Sequence, residues 1–85
     1  MYKLIVKTEN GTHSHLLDTL GLALDLFFDY KNTLISSSYL ELEIMHCIHG
    51  NLLATYEHGK NRLFGFDFDE NIWLDDEAFN LIAEF

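Results

Sequence analysis

The chain of 85 residues contains no proline, a single cysteine and only five lysine or arginine residues, none of them after Arg62. Each absence excludes something. Without proline, strands and helices run uninterrupted and no slow prolyl isomerisation enters folding. One cysteine, Cys47, forbids an internal disulfide and fits a reducing compartment. No apolar run approaches the roughly 18 residues of a membrane span, and residues 1–10 lack the long apolar stretch of a secretion signal. The expectation is a soluble, cytoplasmic protein. A net charge of −9 and a pI near 4.6 argue against direct binding to nucleic acid or to an anionic membrane, because both require a basic surface.

What is present is the composition of a packed globule. Hydrophobic residues make up 48% and aromatics 14% of the chain, which is too apolar for disorder despite the charge. No linker, repeat or low-complexity run divides the sequence, so residues 1–85 are expected to form a single domain.

Periodicity gives the expected elements. Tyr2 to Thr8 alternates as a strand, and Asn10-Gly11 signals a turn. Thr12 or Ser14 is then positioned to cap a helix over 15–30, where Leu16, Leu20, Ala23, Leu24, Phe27 and Tyr30 recur at spacings of three and four. Residues 32–38 read as a short strand or a serine-rich loop. Leu40, Leu42, Ile44, His46 and Ile48 alternate inward on the next strand. Leu52, Ala54 and Tyr56 do so on a return strand, and Phe64, Phe66 and Phe68 on a third strand over 62–69. Three-residue loops with Asn51 and Asn61 in left-handed conformations would pair Ile48 with Leu52, Ile44 with Tyr56, and Tyr56 with Phe64. Asp75 or Asp76 would cap a short terminal helix. The predicted fold is α+β in two layers, in the order β-α-(β)-β-β-β-α. An antiparallel sheet of four to five strands packs on one long helix.

The charge distribution is the functional signal. The last 23 residues hold seven of the fourteen acids and no base, interleaved with Phe64, Phe66, Phe68, Trp73, Phe79 and Phe85. Uncompensated acid repels itself, so a folded acidic segment points to a positively charged partner. On a regular strand Asp67 and Asp69 share the solvent face, and Glu70, Asp75, Asp76 and Glu77 extend the charge into an anionic ridge. Asp18, Leu22, Asp25 and Asp29 form a second acidic stripe at helical spacing. Trp73 and Leu53 supply apolar anchors among these acids.

No pattern reaches the standard of a catalytic or metal site, and the expectation is a protein that is not an enzyme, with no cofactor and no metal. Asp67 to Asn71 matches the start of a calcium loop, but Ile72 stands where the turn glycine is required and Ala78 where the closing glutamate is. His46-Cys47-Ile48-His49 on a strand sends His46 inward and Cys47 and His49 outward, so they do not converge on one ion. Cys47 has His49 on the same face two residues along, but no third group or oxyanion donor is identifiable. Gly59-Lys60 lacks the earlier glycine of a phosphate loop.

The resulting expectation is a small acidic inhibitor that blocks a basic nucleic-acid-handling protein through an acidic, nucleic-acid-mimicking surface. In size and charge the chain resembles immunity proteins against nuclease toxins and phage anti-restriction or anti-CRISPR inhibitors; no motif carries that likeness. The alternative is a non-catalytic interaction or regulatory module, monomeric or homodimeric through a sheet edge.

Overall fold

The computed structural model describes residues 1–34, 39–57 and 59–74. The expected terminal helix, its capping acids Asp75 and Asp76, and Glu77 lie outside the described residues.

Five strands form one antiparallel sheet: β1 (Tyr2–Thr8), β2 (Gly11–Leu17), β3 (Leu40–His46), β4 (Leu52–Glu57) and β5 (Lys60–Leu63), in the spatial order β2-β1-β3-β4-β5. The helix α1 (Leu20–Thr33) falls between β2 and β3 in sequence and packs chiefly on β1 and β3. A two-stranded hairpin, β6 (Phe66–Asp67) with β7 (Ile72–Trp73), follows the sheet. The architecture is therefore α+β, and no described helix is long and apolar enough to cross a membrane.

Alternation in β1 and β3 sends Tyr2, Leu4, Val6, Leu42, Ile44 and His46 to the helix side, where all six are buried. Leu20, Ala23 and Phe27 meet them from α1 at helical spacing, with Leu24 and Tyr30 packed at the margin. The other side of the sheet carries Lys3, Lys7, Lys60 and Arg62 together with Glu41, Glu43 and Glu57. Lys7 Nζ lies 3.3 Å from Glu43 Oε1 across the β1–β3 pair.

Several expectations change. Residues 11–17 form a strand where a helix start was expected, so Asn10-Gly11 turns a hairpin. Thr19 is the cap, with its hydroxyl accepting the Leu22 N–H at 3.2 Å. The physical reason is that Thr12, His13, Ser14 and His15 offer no apolar helical stripe and favour extended backbone. The loops also differ. Five residues, 47–51, join β3 to β4, while His58 and Gly59 alone join β4 to β5. Gly50 (φ 71°) and Gly59 (φ 77°) take the left-handed conformations expected of Asn51 and Asn61, because glycine pays no Cβ penalty there.

Registers shift accordingly. Tyr56 pairs with Leu42 and Asn61, and Ile44 pairs with Ala54. A bulge between Ile44 and Met45 inserts Leu53 as an extra residue on β4, and Leu53, Ala54, Thr55 and Tyr56 are all buried in succession. Ile48, expected inward, is 76% exposed because β3 ends two residues before it. The third meander strand stops at Leu63. Gly65 (φ 58°) turns the chain, and Phe64 and Phe68 become partly exposed instead of core.

Candidate interaction surface

The acid-rich segment after Arg62 is folded back against the end of the sheet where Tyr2 and His46 lie. Asp67, expected at the head of the anionic ridge, is fully buried. Both of its carboxylate oxygens accept from the Tyr2 hydroxyl, at 2.7 and 2.8 Å. Its Oδ1 also accepts the backbone N–H groups of Asp69 (3.0 Å) and Glu70 (3.4 Å). The cause of the misplacement is the bend at Gly65, which cancels the strand parity that had aimed Asp67 at solvent. Burial, the hydrogen bond to Asp67 and the nearby acids push the Tyr2 phenol well above its ordinary range.

The turn is closed by further ties. Asn51 Nδ2 donates to the Phe66 carbonyl at 2.9 Å, and the Leu74 N–H donates to the Gly65 carbonyl at 3.0 Å. Asn71 adopts φ 56°, the left-handed region that asparagine tolerates in tight turns.

Asp69 is exposed but engaged. Its Oδ1 lies 3.0 Å from His46 Nε2 and its Oδ2 lies 3.3 Å from the Met1 amino group. The His46 contact is short yet poorly aligned for a hydrogen bond, so it is chiefly electrostatic. The imidazole and the amino group hold the Asp69 carboxyl below its ordinary value. His46 itself is fully buried, and its Nδ1 accepts the N–H groups of Ile48 and His49, each at 3.2 Å. That network assigns the ring proton to Nε2. An Asp–His pair of this kind resembles a catalytic dyad, but the imidazole is fully buried, with Nδ1 accepting two backbone N–H groups and Nε2 carrying the proton toward Asp69, so neither nitrogen is open to take a substrate proton.

The surface that remains is aromatic. Trp73 is 75% exposed and stands edge-on against Phe66, with ring centroids 5.3 Å apart. Ile72, Phe68 and Ile48 are also exposed, and the His49 ring lies 4.2 Å from Phe68. Glu70 borders this group and is solvent-exposed. Phe66 is half-buried beside its exposed pair mate Trp73, and Asp67 is buried while its pair mate Ile72 is exposed.

Leu53, expected as an exposed anchor beside Asp67, is fully buried in the core through the β4 bulge. Asp18, Asp25 and Asp29 are all exposed, and none forms an ion pair with a described cation. Asp18 is not part of the helix, however. It precedes the Thr19 cap, where the positive end of the helix favours an acid, whereas Asp25 and Asp29 lie farther along near 51%-exposed Leu22. Lys31, in the last helical turn, sits 5.6 Å from the Tyr56 ring centroid.

A separate cleft of about 460 Å³ opens between the β1–β2 hairpin and the end of α1, lined by His13, His15, Tyr30 and Leu34 among others. His15 Nε2 lies 2.7 Å from the Tyr30 hydroxyl and joins the edge strand to the helix. Among the described residues no group of three or more metal-ligating side chains converges.

The residues that sequence reasoning missed are Tyr2, His46 and Asn51, which fix the hairpin from beneath. The one signal for them was the inward-facing His46 on an otherwise apolar strand face. No family model, curated protein or solved structure matches the chain.

Proposed function

We propose that the protein is a non-catalytic inhibitor that binds a basic macromolecular partner, of the class that handles nucleic acid, through the β6–β7 hairpin. The observation that carries this reading is Trp73, held 75% exposed on a hairpin whose base is locked by a buried, fully engaged aspartate. A large aromatic on a rigid support loses little conformational freedom on binding and serves as an anchor. Glu70 supplies an acidic rim, and Asp25 and Asp29 supply a second acidic surface on the helix; Asp75, Asp76 and Glu77, which follow in sequence, add to the acid available to the partner. Charge complementarity would raise the association rate by roughly 10 to 10³-fold, while the aromatic group sets dissociation. Blocking a nucleic-acid-binding cleft by mimicry of its ligand is the mode this charge favours. Asp67 and Leu53 have no part in it, because both are inside the fold.

The test is capture from the native host at low and high ionic strength, with wild type beside Trp73→Ala and the Asp25→Asn/Asp29→Asn pair. The reading expects one basic partner retained at low salt, lost steeply at high salt, and weakened by both variants. A partner held equally at both salt concentrations and indifferent to Trp73→Ala would sink it.

A further inference from the structure

The hairpin carries three described acids, and two of them are spent inside the fold. Asp67 is buried under the Tyr2 hydroxyl and two backbone N–H groups, and Asp69 is engaged by His46 and the Met1 amino group. Glu70 is the third. Its backbone N–H is held by Asp67 Oδ1 at 3.4 Å, yet it is exposed and forms no ion pair with a described residue. Three residues further on, Trp73 is placed by its pairing with Phe66. Among the described residues its ring meets only that of Phe66, at an interplanar angle of 63°. With most of the residue in solvent, at least one face of the indole is open.

We infer that these two side chains receive an arginine of the basic partner, its guanidinium stacked on the Trp73 indole and its charge met by Glu70. The inference rests on the proposed function and names the group that the hairpin recognises. Three residues of separation put the Cα atoms of Glu70 and Trp73 at most about 11 Å apart, a gap that the two side chains and one guanidinium can fill. None of the five lysine and arginine residues of the chain occupies that place. Lys7 is paired with Glu43, Lys31 lies against Tyr56, and Lys3, Lys60 and Arg62 are on the outer face of the sheet. A cation on the indole therefore comes from another molecule.

The chemistry of the site selects among the groups a partner can offer. An anion is repelled by a chain of net charge −9. A purely apolar group would take water from Glu70 and return no counter-charge, which costs free energy. A lysine ammonium is compact and strongly hydrated, so over a ring as open as Trp73 it keeps its water and gains little. Guanidinium differs on each count. It is planar, delocalised and weakly hydrated; its face stacks on indole, the best aromatic partner for a cation, while its edge carries N–H donors for a carboxylate. The ties to Asp67 also order the turn and strand that carry both groups before any partner arrives, which lowers the cost of binding.

Titration calorimetry of the full chain with hexa-arginine and with hexa-lysine tests the inference. Trp73 is the only tryptophan, so its fluorescence reports whether the peptide reaches it. The two peptides carry equal charge, and general attraction to an acidic protein cancels in the ratio of their affinities. Hexa-arginine is expected to bind roughly three- to tenfold tighter than hexa-lysine and to shift the Trp73 emission. Trp73→Ala and Glu70→Gln are each expected to bring hexa-arginine down to the level of hexa-lysine, whose retained binding shows that the variant is folded. Asp25→Asn with Asp29→Asn is expected to weaken both peptides and leave their ratio unchanged. Equal affinities in the wild type, a ratio that survives Trp73→Ala or Glu70→Gln, or an emission that does not move would each overturn the inference. If a basic partner is still captured from the host through Trp73, such a result removes the arginine alone and leaves the inhibitor reading standing.

Discussion

The acids of the hairpin and the acids of the helix look alike in sequence and are opposites in the structure. Asp67 is buried and saturated with donors, and Asp69 is matched to His46 and the Met1 amino group. Asp25 and Asp29 stand in solvent, one helical turn apart, with no described cation paired to them. The first pair holds the fold together. The second pair costs the helix a few tenths of a kcal/mol through mutual repulsion and, for Asp29, through its place near the negative helix end. Acidic residues that stabilise are therefore not the ones available to a partner.

The largest effect that separates the two groups is expected from Asp67→Ala. It strands the buried Tyr2 hydroxyl and two backbone N–H groups, and is expected to lower unfolding free energy by about 3 kcal/mol in urea titration. Tyr2→Phe removes one donor to the same carboxylate and is expected to cost about 1–2 kcal/mol by the same measurement. A loss below 0.5 kcal/mol (about the scatter of neutral surface changes) for both would dissolve the distinction drawn above.

Trp73→Ala sharpens the comparison from the other direction. Its stability cost is expected to stay under about 1 kcal/mol because the ring is mostly exposed, while affinity for the partner falls at least about tenfold in titration calorimetry. A smaller effect follows from pH. The Asp69 carboxyl is lowered in the folded state, so its contribution is present above the ordinary carboxylate value of about 3.9. It is lost as pH falls through the lower folded value. Asp69→Asn is therefore expected to flatten the stability curve below about pH 4 relative to wild type. The smallest effect is expected from Asp25→Asn with Asp29→Asn, a gain of a few tenths of a kcal/mol by thermal melting, together with weaker partner binding.

The sheet core was legible wherever one simple period decides the matter. Leu4, Val6, Leu42 and Ile44 alternate, and Ala23 and Phe27 fall on a helical stripe, so their faces follow from sequence. The opening strand and the three-strand succession β3-β4-β5 were legible for the same reason. What failed depends on events that a period does not encode. The bulge at Leu53 moves one residue from the outside to the core, and the bend at Gly65 reverses the facing of Asp67. β2 escaped because an edge strand with one sparsely covered face needs no alternation of apolar residues, so its Thr and His residues gave no pattern to read. The exposure of Trp73 follows from sequence, because a lone tryptophan among acids and turn residues has no apolar partner at strand or helical spacing.

The ring of His46 ties three distant stretches of chain into one cooperative unit. Its Nδ1 holds the N–H groups of Ile48 and His49, its Nε2 faces Asp69, and its flank meets the Tyr2 ring edge-on at 5.3 Å. Solvent reaches the side chains of Ile48 and His49, yet their amide hydrogens are held by a nitrogen that water does not reach. Those two amides should exchange with deuterium slowly, in step with the strand core instead of with an open turn. The start of the chain, the β3–β4 turn and the acidic hairpin would then open together or not at all.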